Sequence, residues 1–229
     1  MNEEKLKMKL ENEFKKQEQF FGKGKFYQSF PRLNIEGMRP TDERIQRYKI
    51  QEFVKKTDNV LDLGCNCGFF DLSVAEWVSS VTGIEYNEAL VAVGNMAKDG
   101  LKIENVNFVT SDYESWRKKN KKKFDVIFSF AVHYWFKVKP YHYAKDLSKM
   151  LNKGGFLFFE SQDIKGDKDY PNFLNEFKCR GFKEVFNGGG KDDGEYERNF
   201  FVLKRQETNI FTYVFNKIKS KFPNQKHRN

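Results

Sequence analysis

The sequence predicts a three-layer α/β fold, and three observations carry that expectation. From residue 58 onward short apolar runs recur: "NVLDLG", "SSVTGIEYN", "VNFVTSD", "FDVIFSFAV" and "GGFLFFES". Between most of them lie stretches of helical pattern at 69–78, 88–98, 138–151 and 168–180. Strands separated by helices form a mostly parallel sheet covered on both faces. The third observation is the ending, where "GFKEVF" and "RNFFVLKR" are separated only by the loop "NGGGKDDGEYE", as in a closing antiparallel hairpin.

The flanks read differently. Leu6, Leu10 and Phe14 stand four apart within residues 1–20, the stripe of an amphipathic helix. The glycines and prolines that follow mark an irregular segment. Thr41 followed by Asp42 and Glu43 then predicts a capped helix over 41–56. Beyond the last strand, Ile210, Phe211, Val214, Phe215 and Ile218 share a helical face, with Lys217, Lys219 and Lys221 nearby. Such a face either packs on protein, this domain or a second subunit, or rests on an anionic membrane; burial in protein is the usual fate. The expected organisation is a helical cap and lid over 1–57, a core domain over 58–205 and a basic tail over 206–229.

Composition narrows the class. The chain of 229 residues suits one sizeable domain with appendages. No apolar stretch nears the roughly 20 residues of a membrane span, and "MNEEKLKMKLENEFKKQEQF" lacks the apolar core of a secretory signal. Three cysteines, Cys65, Cys67 and Cys179, make no disulfide framework, which points to a reducing cytoplasm. Cys65 and Cys67 are too close for a C-x-x-C pair and no second pair complements them, so no metal is expected. A net charge of +9 permits an anionic partner, although "RKKNKKK" at 117–123 reads as a solvated loop rather than a reading head.

The chemistry concentrates where the first strand ends, at Asp62-Leu63-Gly64. In open α/β sheets ligands bind beyond the carboxyl ends of the strands, and Gly64 and Gly68 allow a tight turn there. The next strand ends at Glu85, 21 residues after Gly64, the offset of an acid that grips a ribose diol. A nicotinamide dinucleotide would use that acid too. Asp62 discriminates, because its charge opposes a pyrophosphate and suits a cation. The turn also reads G-C-N-C-G, not G-x-G-x-x-G. A phosphate-free nucleoside with an ammonium and a sulfonium meets both conditions, and that ligand is S-adenosylmethionine.

Residues 58–204 resemble a class I S-adenosylmethionine-dependent methyltransferase, carried by "VLDLGCNCG", "VTGIEYN", "FVTSDYES" and "FDVIFSFAVHYW" in order. The resemblance implies a Rossmann-like fold with a seven-stranded sheet, S-adenosylmethionine as cofactor and S-adenosylhomocysteine as product. It implies that Asp62, Gly64, Cys65, Asn66 and Gly68 line the methionine end, that Glu85 binds the ribose hydroxyls and that Tyr86 flanks the adenine. Asp112 would accept the adenine amino hydrogen with Tyr113 beside it, and Ser129 and Phe130 would face the sulfonium.

For the acceptor, His133 just past the fourth strand is the candidate base for a hydroxyl; the alternative is a histidine that only shapes the pocket. His142 is a weaker candidate, and Glu160 at the end of the fifth strand would orient substrate. The segment 26–44 sits where the family carries a lid; Tyr27, Gln28, Arg39 and Arg44 are its candidates for holding anionic groups, with surface arginines as the alternative. The chain lacks the Asp/Asn-Pro-Pro-aromatic motif of base-amine methyltransferases, the Pro-Cys of pyrimidine C5 enzymes and the strand-end acid of metal-dependent catechol-type enzymes. The whole is similar to methyltransferase domains associated with bacterial surface-polysaccharide assembly. That implies a glycan or small-molecule acceptor, with peripheral contact at the inner membrane face if the tail meets lipid. RNA methylation and a non-catalytic cofactor-binding regulator remain as alternatives.

Overall fold

A computed structural model describes residues 2–16, 25–162, 165–192, 197–207 and 210–221. The chain divides into two compact units. The first comprises 1–120 with 126–129, and the second 121–125 with 130–229.

The first unit begins with α1 (Glu3–Lys15), whose N-terminus is capped by the Asn2 side chain accepting from the Lys5 N–H at 2.9 Å. Leu6, Leu10 and Phe14 are its buried stripe, as the spacing predicts. Residues 17–20 of the expected helix lie outside the described residues. The segment read as irregular holds a small parallel pair, β1 (Phe26–Gln28) and β2 (Gly37–Arg39). The helix expected over 41–56 is broken into α2 (Thr41–Arg47) and α3 (Ile50–Phe53), with Lys49 between them in the left-handed region at φ 53°. Thr41 is not the cap but the first helical residue: its hydroxyl donates to the Ser29 carbonyl at 2.6 Å, and Pro40 takes the cap position. A tertiary bond to the β1 end overrides the local signal.

Then come β3 (Asn59–Leu63), α4 (Phe69–Val74), β4 (Ser80–Glu85), α5 (Glu88–Gly100) and β5 (Val106–Thr110). The helix α6 (Tyr113–Lys119) was not expected. Arg117, Lys118 and Lys119, read as loop, form its last turn, where cations suit the carbonyl end of a helix. The strand β6 (Phe124–Phe130) is shared between the units. β3 pairs in parallel with β4 and with β6, and β4 with β5. Val60, Leu61, Val126, Ile127 and Phe128 are fully buried, because a central parallel strand is covered on both faces.

The second unit adds α7 (Pro140–Met150), β7 (Leu151–Glu160), α8 (Tyr170–Cys179), β8 (Phe182–Asp192), β9 (Glu197–Arg205) and α9 (Ile210–Lys221). β9 pairs antiparallel with both β7 and β8, the predicted hairpin. β8 runs further than "GFKEVF", through the three glycines, and absorbs register shifts after Glu184 and Asn187. The sheet order is β5-β4-β3-β6-β7-β9-β8, seven strands, mostly parallel with the C-terminal antiparallel hairpin. Among the described residues no helix is long and apolar enough to cross a membrane.

Candidate functional site

In the first unit, β3 carries Asp62 to the start of the glycine turn. Gly64 and Gly68 take φ of 75° and 67°, and Asn66 joins them at 57°. Gly68 is demanded twice over, since a Cβ there would also lie 2.1 Å from the Phe108 ring. Asn66 steadies its own turn, its side-chain oxygen accepting from the Cys67 N–H at 2.8 Å. The Asn66 N–H donates to one oxygen of Glu85 and the Asn87 N–H to the other, both at 3.1 Å. Glu85 thus braces the loop as well as standing at the strand end. Burial pushes its carboxyl up, and these backbone bonds offset only part of that rise.

Asp62 is buried, and its carboxyl lies against that of Asp71 on α4. Asp71 is fully buried and neither of its oxygens meets an N–H or O–H donor from elsewhere in the chain, which favours its protonated form beside Asp62. Burial raises Asp62 to about 7, with the Arg44 guanidinium offsetting part of the rise and the Glu85 charge adding to it. Burial and the Asp62 charge push Asp71 up as well. The packing is tight: a Cβ on Gly83 would lie 2.5 Å from Asp71 Oδ2 and 2.8 Å from Cys65 Sγ. The acidity expected of Asp62 alone therefore belongs to a pair. Asp71 was missed from the sequence, although an acid inside the apolar "GFFDLSV" on the inner face of a helix is its signal.

The lid candidates of this unit are inside the fold. Gln28 is buried and its side-chain oxygen accepts from the Phe70 N–H at 3.3 Å. Arg44, 5% exposed, lies over the rings of Phe70 and Tyr48, 5.0 and 5.5 Å from their centroids. Arg39, 4% exposed, donates to the Tyr27 hydroxyl at 3.3 Å. The alternative of surface arginines is thereby corrected. Tyr86 is the opposite case: 73% exposed beside Glu85, it offers a bare ring. Asp112 is exposed and caps α6, accepting from the Ser115 N–H at 2.8 Å, which holds its carboxyl low; Tyr113 is buried behind it. Ser129 is fully buried. Burial pushes the Cys65 and Cys67 thiols up, so neither is a thiolate nucleophile.

In the second unit, Phe130 is buried, and Ala131 after it takes φ 55°, turning the chain so that His133 points inward. Its ring packs on Phe159 and Phe173, at centroid distances of 4.9 and 4.6 Å. His133 Nε2 bonds Asp167 Oδ2 at 2.7 Å, while Nδ1 is buried without a hydrogen-bond partner. Asp167 also accepts from the Gln162 and Tyr170 N–H groups at 3.0 and 3.1 Å. Burial raises the Asp167 carboxyl, but His133 and these bonds bring it below its ordinary value. Asp167 lies 34 residues from His133 in a polar loop and carries no signal in the sequence. Glu160 is sealed in with Arg198, whose Nη1 stands 3.9 Å from its carboxylate. Tyr134 and Trp135, next to His133, are exposed and meet edge to face.

A cleft of about 900 Å³ belongs to the first unit and lies elsewhere. Lys56 and Asn105 in its lining precede β3 and β5, so it opens at the opposite ends of the strands from the glycine turn. Among the described residues no three His, Cys, Asp or Glu side chains stand close enough to hold a metal ion.

A family model described as a methyltransferase domain matches residues 37–183. An uncharacterized RNA methyltransferase of Mycoplasma mobile is 39% identical over 79 residues, covering 34% of this chain and 22% of its own. A ubiquinone biosynthesis O-methyltransferase of Coxiella burnetii is 27% identical over 117 residues, covering 50% and 48%. The chain thus spans less than half the length of either relative. The solved N-methyltransferase NodS of Bradyrhizobium japonicum, in complex with S-adenosyl-L-homocysteine, superposes with a TM-score of 0.59 at 17% identity, covering 74% of this chain and 89% of its own.

Proposed function

This chain belongs to the methyltransferase-domain family and takes S-adenosylmethionine as methyl donor, and on that premise we propose that it methylates an oxygen. The acceptor is a sugar hydroxyl or phosphate of a glycan, or a hydroxyl of a small molecule. When bound, the cofactor supplies a methyl group on a sulfonium. The chain's residues do the rest. The carboxyl pair Asp62–Asp71 faces the cationic end, and the turn formed by Gly64, Cys65, Asn66 and Gly68 encloses it. Glu85 takes the ribose, Tyr86 flanks the adenine, and Asp112, with Tyr113 beside it, accepts from the adenine amino group. Ser129 and Phe130 stand at the reacting end. Tyr27, Gln28, Arg39 and Arg44, within the 1–57 cap and lid, hold anionic groups, and Glu160 orients the acceptor within the 58–205 domain. The bare ring of Tyr86 and the buried carboxyl pair, which meets no cation on Asp71, support that fit.

The observation that carries the oxygen reading is the His133–Asp167 pair. A hydroxyl attacks better when a base takes its proton. With Nε2–H given to Asp167, the ring keeps its lone pair on Nδ1, the nitrogen without a partner. The acceptor's proton would move to Nδ1 as its oxygen takes the methyl group that the bound cofactor would supply, the thioether product leaving. The exposed Tyr134–Trp135 faces suit the apolar side of a sugar ring. Complete burial of His133 favours a second role, a clamp that only shapes the pocket. His133→Ala separates the two: loss of turnover by about 10²–10⁴ with cofactor affinity kept supports the base, and unchanged turnover establishes the clamp.

RNA is the second acceptor reading, supported by the +9 charge and the Mycoplasma relative. Labelled S-adenosylmethionine supplied with cell extract, then split into glycolipid, RNA and small-molecule pools, decides between them. Label in the glycolipid or small-molecule pool is the expected result, and label in RNA overturns it. No label despite tight cofactor binding favours the regulator.

A further inference from the structure

The C-terminal helix α9 is docked the wrong way round for a helix of a soluble domain. Its polar face holds it to the second unit. Tyr213 stacks on Arg180, whose guanidinium carbon is 4.6 Å from the ring centroid. The Asn216 side chain donates to the Cys179 carbonyl at 3.5 Å, Lys217 pairs with Glu176, and the Ser220 hydroxyl meets Cys179 Sγ at 3.7 Å. The apolar face is what remains outside. Phe211 is 80% exposed and Phe215 64%, with Val214 and Ile218 exposed alongside them. Spacings of three and four residues align these four side chains in one stripe. The expected burial of this stripe against its own domain is therefore corrected; the side chain of Ile210 lies outside the described residues. A contiguous apolar stripe left in water marks an interaction site.

We infer that this stripe seats α9 in the headgroup layer of an anionic bilayer, holding the protein peripherally at a membrane surface. Charge selects this occupant. Residues 208–229 contain five Lys or Arg (Lys217, Lys219, Lys221, Lys226 and Arg228) and no acid. A helix with an aromatic apolar face and flanking cations partitions into an anionic interface, where each cation adds attraction to the buried apolar area. A second copy of this chain fits worse, because a two-fold pairing of the same face sets each basic tail against its equal. The inference stands whichever acceptor is methylated.

The test is sedimentation of the full chain with vesicles of phosphatidylcholine, with and without phosphatidylglycerol. Binding is expected with phosphatidylglycerol and not without it, and should weaken at high salt. The double variant Phe211→Glu, Phe215→Glu should bind more than about tenfold more weakly. Both positions are exposed, so its near-ultraviolet circular dichroism and cofactor affinity should match the parent. Three results would overturn the inference: no binding to either vesicle, equal binding by the variant, or a lipid-free dimer in analytical ultracentrifugation that the variant splits into monomers.

Discussion

The two buried acids Asp62 and Asp71 give the site its pH dependence. Asp62 titrates near 7 in the fold and near 3.9 in an unfolded chain. Below about pH 4 both states hold the proton; between about 4 and 7 the native state binds more, so stability falls as pH rises through that window and levels off above it. Asp71→Asn removes one of the two raised carboxyls but leaves Asp62 buried, so the slope becomes shallower and keeps its sign. Unfolding free energies from urea titrations at pH 5 and pH 8 should differ by on the order of 3 kcal/mol from Asp62 alone, and by less in the variant than in the parent, which also carries Asp71. A cationic ligand favours the ionised pair, so cofactor binding should release a proton below pH 7; calorimetry in buffers of different ionisation enthalpy detects it. Gly68→Ala places a methyl group against Phe108 in the left-handed region and should destabilise by about 2–4 kcal/mol, read from thermal unfolding. Asp167→Asn should lower turnover and alter its pH profile without changing cofactor affinity, because Asp167 acts through His133; an unaltered profile marks a purely structural contact.

At the scale of elements, helices follow their sequence signals until a tertiary bond competes. α5 begins at Asn87, which accepts from the N–H groups of Ala89 and Leu90, a cap legible in the sequence. The 41–56 helix breaks instead at Lys49, whose left-handed conformation costs about 1–2 kcal/mol in any residue with a Cβ. Lys49→Gly should therefore raise stability by up to about 1 kcal/mol, and Lys49→Val should lower it, both measured by urea unfolding. α6 escaped notice because its seven residues show no apolar period; Asp112 at one end and three cations at the other hold it. α9 had its apolar stripe legible in full, but which face met the protein was not, because periodicity describes a face and not its neighbour.

For the whole molecule, the charge of +9 acts over distance. Any binding to RNA through phosphates should weaken steeply with salt, by about a factor of 10³ between roughly 50 and 200 mM for six phosphate contacts. Turnover on a neutral glycan acceptor should hold over the same range, and a parallel fall in both would favour RNA. The sequence by itself determined the α/β alternation, the order of the parallel strands' residues, the closing hairpin and the glycine turn followed by its acid. These are local patterns, set by burial on two faces and by backbone conformations that particular residues allow. Only the tertiary structure decided that Asp62 is buried against Asp71, that Asp167 holds His133 across 34 residues, that Arg39 and Arg44 lie inside, and that α9 turns its apolar face outward. Each of these depends on which distant side chains share a desolvated space, and such proximity leaves no period in a linear chain.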